Sequence, residues 1–332
     1  MKTRVALGAA ALAVLVALPA ALSSYQLSLV TKMLIFGIFA MSLDLLLGYA
    51  GLPSLGHAAY FGVAAYTVGL LALRVANNVW IDFPAGLLAA AAVSALFGLF
   101  ALRTRGSYFL MITLALGQVL WGIAFGWRSL TGGDDGLPSV PRPDLSLPWA
   151  LTGGDDGLPS VPRPKLPLPW SMTEGVPFYY FVLVFFALAV GALALIVSSP
   201  FGRALVGIRE SERRMEVLGY DVWRYKYVAF ILAGLFAGLA GSLFVYFNGF
   251  VSPSYLNILF SASALLMVIL GGSGTLLGPA IGAAVIVGLE NFISGYMERW
   301  VLVLGIIYVL VTLFAPNGLV GLVRQRLSGP AT

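Results

Sequence analysis

What most constrains this chain is the recurrence of long apolar runs separated by short polar breaks. Runs near residues 5–22, 27–47, 55–74, 82–102, 107–127, 177–197, 227–247, 257–271, 277–296 and 300–315 approach the ~20 residues with which a helix crosses hydrocarbon. They do not alternate strictly between apolar and polar positions, which argues for helices over a β-barrel. The composition points the same way: 60% of the 332 residues are hydrophobic and 10% charged, and the mean hydropathy is +0.95. A soluble domain carries ~25% charged residues. The expectation is an all-α polytopic integral membrane protein, one transmembrane domain over 1–332 with about ten spans and Gly-rich interruptions. Lys2 and Arg4 ahead of an apolar run also fit a cleaved signal peptide. That run is longer than a usual signal core, so a retained first span is expected.

The net charge of +5 is scattered between apolar runs, which suits membrane orientation rather than nucleic acid. With both termini cytoplasmic, Lys2, Arg4, Arg103, Arg105, Arg203, Arg209, Arg213, Arg214, Arg224, Lys226, Arg324 and Arg326 all fall on that side. The opposite margin takes Lys32, Arg74, Arg128, Arg142, Arg163, Lys165, Arg299 and most of the acids, so the positive-inside rule is obeyed. The long polar connection, 128–176, then faces outward. It holds a tandem repeat, LTGGDDGLPSVPRPDLSLPWA at 130–150 followed by LTGGDDGLPSVPRPKLPLPWS at 151–171. So much Pro and Gly excludes helix and central strand. Asp134, Asp135, Asp155 and Asp156 lack the alternating oxygen ligands and closing Glu of a calcium loop, which leaves a duplication in a tolerant surface loop.

Residues 198–226 form the longest charge-rich segment. Leu205, Ile208, Met215 and Leu218 fall on one stripe at helical spacing, with Arg209, Glu210, Arg213, Arg214 and Glu216 around them. This reads as a short amphipathic helix at the cytoplasmic surface, presenting its apolar stripe to whatever lies below.

Chemistry is sparse. None of Lys2, Lys32, Lys165 or Lys226 follows a glycine, so Gly-Gly-Ser-Gly-Thr at 271–275 is not a phosphate-binding loop. His57 is the only histidine and there is no cysteine, which leaves no metal cluster, disulfide or Ser-His-Asp set to expect. An enzyme is not the expectation; a transporter is. Two interruptions, GYAGLPSLGHAAYFG at 48–62 and LGGSGTLLGPAIG at 270–282, break apolar runs with Gly, Ser and Pro. Broken backbone at that depth is tolerated where protein or a water-filled cavity satisfies it, so both are candidates for a translocation pathway; the alternative is close helix packing. Asp44, His57, Gln118, Glu290 and Asn291 are polar groups in or at the ends of spans.

Several motifs together resemble the LivM-type permeases, membrane subunits of branched-chain amino acid ABC importers. Leu43-Asp44-Leu45-Leu46-Leu47-Gly48-Tyr49-Ala50-Gly51 with Ser54-Leu55-Gly56-His57-Ala58-Ala59-Tyr60-Phe61-Gly62 is similar to that family's LNLLLGYAG…SLGHAAFFG signature. Further matches are Arg105-Gly106-Ser107-Tyr108-Phe109 with Thr113-Leu114-Ala115, Leu130 to Leu137, and Phe201-Gly202-Arg203-Ala204-Leu205 through Ile208-Arg209-Glu210 to Leu218-Gly219. Met267 to Gly272 with Gly274-Thr275-Leu276 and Gly278-Pro279, and Phe314 to Leu319, complete the series. Departures are Asp44 where the pattern usually has Asn, Pro53 inside the first glycine motif, and Ser263 where many paralogues carry Glu. The resemblance implies an importer of leucine, isoleucine and valine in a bacterial or archaeal inner membrane. Its other parts would be a LivH-like second permease, two cytoplasmic ATPases that hold ATP and Mg, and a solute-binding protein, with no cofactor in this chain. It implies ATPase coupling by Arg203, Leu205, Ile208, Arg209, Glu210, Arg213, Met215, Glu216 and Gly219. The pathway would involve Asp44, Gly51, Ser54, Gly56, His57, Tyr60, Thr113, Gly271, Gly272 and Gly274. On this picture Ile208→Asp with Met215→Asp uncouples ATP hydrolysis from uptake without unfolding the spans. The alternatives are the same importer class serving urea or short amides, and an ion-coupled secondary transporter with Asp44 or Glu290 as the ion-binding acid.

Overall fold

The computed structural model describes residues 12–75, 78–138, 140 and 175–294, with 302, 305, 306, 309, 318, 319 and 321. The second repeat copy, the start of the first expected span and most of the tenth lie outside the described residues. The described chain is helical; a lone antiparallel bridge joins Leu137 to Val251.

The helix α1, Ser24–Asp44, starts at a capping box: Ser23 accepts from Gln26 N and Gln26 Oε1 accepts from Ser23 N at 3.0 Å. It continues into a π turn, Leu45–Tyr49, and then uncoils to Gly56. Next come α2 (His57–Arg74), α3 (Val79–Ala101), α4 (Ser107–Gly126) and α5 (Gly175–Ser198). Two short helices, α6 (Pro200–Glu210) and α7 (Glu212–Val217), precede α8 (Val222–Asn248), α9 (Ile258–Gly271) and α10 (Gly278–Ser294). Among the described residues, five helices have the length and apolarity of membrane spans: Ser24–Tyr49, Val79–Ala101, Ser107–Gly126, Gly175–Ser198 and Val222–Asn248. The chain is therefore a multi-pass membrane protein.

The expected span at 257–271 comes out shorter than a crossing: α9 has 14 residues, or ~21 Å at 1.5 Å per residue against ~30 Å of hydrocarbon. α10 is described over Gly278–Ser294, within the expected span at 277–296. The two helices pack on each other where side chains are absent. A Cβ on Gly271 would lie 2.0 Å from Gly278 O, and one on Gly282 would lie 2.0 Å from Met267 O.

The bundle is organised round α1 and α8. Of the apolar stretch of each, 78% is buried inside the chain, against 22% for α4 and α5 at the perimeter. α8 packs on α1, α2 and α3, and α1 packs on α5 and α10. Between them sits an aromatic cluster, with Phe39 and Phe61 at 4.8 Å, Phe61 and Phe260 at 5.0 Å and Phe36 and Phe244 at 5.5 Å between centroids. Lipid is as apolar as a side chain, so this close packing, rather than escape from water, holds the helices.

The charge-rich segment is not one helix but a two-part arm. Ser199 caps α6 by accepting from Gly202 N; Ser211, extended at φ −162°, breaks the run and caps α7 by accepting from Arg214 N. The expected outward stripe is divided: Leu205, Ile208 and Met215 are turned inward and buried, in contact with the chain itself, and Leu218 alone of the four faces outward. Ala204, Ile208, Met215 and Val222 form a small core of their own. What the arm exposes instead is Val217, Leu218, Tyr220 and Trp223.

Candidate functional site

The two glycine-rich interruptions, more than two hundred positions apart, meet at the end of the bundle that carries the arm. Asp44, in the last turn of α1, accepts from Gly274 N at 2.8 Å. The approach is close because Gly48 has no side chain: a Cβ there would lie 2.1 Å from Asp44 Oδ1 and 2.2 Å from Gly274 N. On the other side of the α9–α10 turn, a Cβ on Gly318 would lie 2.4 Å from Gly272 N. Backbone thus packs on backbone at the crossing, and the polar groups that the breaks leave open are partly satisfied by each other.

The arm enters the same place. Arg209, at the end of α6, donates from Nη1 to Gly48 O. A Cβ on Gly51, whose φ is +71°, would lie 2.8 Å from Arg209 Cγ, so the bare backbone makes room for this side chain. Asp44 is buried, and its Oδ2 has no hydrogen-bond partner.

The extended chain at 50–56 is held from both sides. Leu55 N donates to Thr113 Oγ1 at 3.4 Å, and Ala58 N to Ser261 Oγ at 2.9 Å. Ser54 Oγ accepts from Gly56 N at 3.4 Å, and a Cβ on Gly56 would lie 2.2 Å from Thr113 O. Ser54, Gly56 and Thr113, separate candidates in sequence, are therefore neighbours between α2 and α4. Ser261 completes the group; its only sequence signal was a hydroxyl inside an apolar run.

His57 and Tyr60 sit deeper. His57 is fully buried, its ring 5.5 Å from Phe39 in a stack and 5.6 Å from Tyr60 edge-on. Ser42 Oγ lies 2.8 Å from His57 Nε2 and 2.7 Å from Phe39 O. With one hydroxyl proton available, both contacts are satisfied when Ser42 donates to the carbonyl and His57 donates from Nε2. His57 Nδ1 and the Tyr60 hydroxyl are then buried without partners. This is the environment of a packing histidine in an aromatic wall.

Glu290 and Asn291 are paired elsewhere. Glu290 lies 3.6 Å from Lys32, and Asn291 Nδ2 donates to Tyr25 Oη at 2.7 Å, both tying α10 to α1. On the arm, Arg203, Glu210, Arg213, Glu216 and Gly219 are exposed. Glu216 is 4.0 Å from Arg105, and Glu212 accepts from Lys226, fastening α7 to the start of α8. Sequence reasoning passed over this last pair; its signal was a lysine in the first turns of an apolar helix with an acid 14 positions earlier. Among the described residues no group of His, Cys, Asp and Glu could hold a metal ion.

Comparison with known proteins follows this geometry. Residues 25–313 match the family model described as branched-chain amino acid transport system / permease component. The chain is 30% identical over 319 residues to the high-affinity branched-chain amino acid transport system permease protein LivM of Salmonella typhimurium, covering 96% of this chain and 75% of that protein. LivM of Escherichia coli K12 is 31% identical with the same coverage. LivH of Salmonella typhimurium is 29% identical over 137 residues, 40% of this chain and 44% of the relative. No solved structure matches. A match that runs through both glycine breaks and the arm between them settles the family: this chain belongs to the permease components of branched-chain amino acid transport systems.

Proposed function

We propose that this chain is a membrane-spanning permease subunit of an importer that moves leucine, isoleucine and valine at the expense of ATP hydrolysed on partner subunits. The observation that carries this reading is the arm: a charged two-helix element whose Arg209 engages the crossing of the two broken helices. A chain without a phosphate-binding loop of its own needs the driving force delivered from outside, and an arm fixed to the crossing is where it would be received. The partners are two cytoplasmic ATPases that hold ATP and Mg2+, a second permease of the LivH kind and a solute-binding protein. Excess Lys and Arg on the arm side supports a cytoplasmic arm and cytoplasmic termini in an inner membrane.

The ATPase contact falls on the exposed Val217, Leu218, Tyr220 and Trp223, with Arg203, Glu210, Arg213 and Glu216 setting orientation. Leu205, Ile208 and Met215 act behind that surface, holding the arm to the bundle. The pathway runs past Ser54, Gly56 and Thr113, where the uncoiled chain before α2 meets α4.

Uptake of labelled leucine, in cells with and without this subunit, tests the reading when ATP is depleted and the ion gradient is held. Loss of ATP-dependent uptake on deletion is the expected result. Unchanged leucine uptake with a fall in urea uptake would overturn the substrate, and uptake indifferent to ATP would overturn the class.

A further inference from the structure

Arg209 leaves the last turn of α6 and reaches a carbonyl 161 positions earlier in the chain. Glycines border its course. A Cβ on Gly51 would lie 2.8 Å from Arg209 Cγ, and one on Gly274 would lie 3.2 Å from its Nη1. Both glycines have positive φ, +71° and +75°. The guanidinium donates to Gly48 O on one break, and Asp44, one turn before Gly48, accepts from Gly274 N on the other. The cation therefore holds the first turn and the carboxylate the second, and the cation adds a directional polar link to the apolar packing of the arm. Backbone packed on backbone at the crossing joins the two turns directly, so a displacement passed through this link reaches both. Arginine suits the place because its planar fork holds direction, which a lysine point charge does not.

We infer that Arg209 is the positioning residue that keys the arm to the helix crossing, so that the arm and the Gly48–Gly51 and Gly272–Gly274 turns move as one body. The inference rests on the proposed function and adds to it the residue through which the arm's movement reaches the membrane helices.

The importer reconstituted with its ATPases, second permease and binding protein provides the test, read as leucine transported per ATP hydrolysed in assembled complex. Arg209→Ala is expected to lower that ratio about tenfold, the scale of one charge-assisted hydrogen bond, and Arg209→Lys to recover part of it. A second variant separates keying from folding. The native chain has no cysteine, and a Cβ on Gly51 would lie 3.4 Å from Arg209 Cβ, near the ~3.5–4.5 Å of a disulfide. Gly51→Cys with Arg209→Cys is expected to be uncoupled when reduced and to regain coupling when oxidised, the covalent link replacing the arginine, with wild-type importer given the same oxidant as control. A normal ratio in Arg209→Ala, or a formed cross-link that leaves the ratio low, would overturn the keying. Disulfide yield in membranes needs no substrate, and failure of the bond to form overturns it as well. Wild-type importer that moves no leucine would instead overturn the proposed function, leaving the cross-link result to stand by itself.

Discussion

A methyl group added to Gly48 would sit 2.1 Å from Asp44 Oδ1 and 2.2 Å from Gly274 N, while one added to Gly122 would meet nothing within 4 Å. Gly48→Ala is therefore expected to force the crossing apart at a cost of ~1–3 kcal/mol, as overpacking does. Gly122→Ala, in mid-helix, should be neutral or stabilising by up to ~1 kcal/mol. Melting temperatures of the detergent-solubilised complex check both, and equal melting for the two variants would contradict the close approach. In sequence Gly48 opens a glycine-rich break and Gly122 lies within an apolar run, but only the fold shows which backbone atoms approach Gly48. His57 gives the complementary case. Ser42→Ala removes the partner of a buried ring nitrogen and should cost ~1–3 kcal/mol of stability, with leucine uptake per folded complex unchanged. A proton relay through His57 would show the reverse: unaltered melting, and uptake that falls and changes its pH dependence.

At the scale of elements, the arm shows what periodicity carries and what it leaves open. Spacing identified Leu205, Ile208, Met215 and Leu218 as one stripe; the first three are buried, Leu205 in the main core and Ile208 with Met215 in the small one, while Leu218 is exposed. It did not say which way the stripe faces, because an amphipathic helix lying on a greasy bundle and one lying on a partner have the same pattern. The chain's own Val222 and Tyr225 take Ile208 and Met215, the main core takes Leu205, and the exposed apolar residues run from Val217, the last of α7, to Trp223 at the start of α8. Ile208→Asp and Met215→Asp should consequently put a charge into a packed site, lowering the yield of folded permease. Val217→Asp with Leu218→Asp, both exposed, should leave the permease folded and weaken its capture of the ATPase subunits about tenfold or more. Yield and ATPase content after purification separate the two pairs, and the opposite pattern would restore an outward stripe. Helix lengths were legible for the same reason that the stripe was. Apolar runs of ~20 residues have one stable solution in lipid. The shorter α9 was less so, since the run it shares with α10 is divided by a turn whose glycines also suit close packing.

Across the whole molecule, the duplicated segment tests which parts of the chain the fold uses. The start of the first copy is built in: Thr131 is buried and donates to Ala124 O at 2.6 Å. Leu137 N donates to Val251 O at 2.7 Å, and Val140 N donates to Gly249 O at 2.9 Å. These bonds tie the connection to the turn after α8, the same helix that leads away from the arm. The described contacts of 130–140 anchor the first copy. Chain closure depends weakly on length, each doubling of a loop adding only ~0.6 kcal/mol, so lengthening this connection by a second copy costs the fold little. Deleting 151–171 is accordingly expected to leave ATP-dependent leucine uptake within about twofold of wild type. Thr131→Val, which keeps the volume and removes a buried hydroxyl together with its bonds to Ala124 O and Trp127 O, should lower stability by ~1–3 kcal/mol. Loss of uptake on deleting 151–171, with the permease still folded and assembled, would give the second copy a function of its own at the outer surface, where a solute-binding protein would dock.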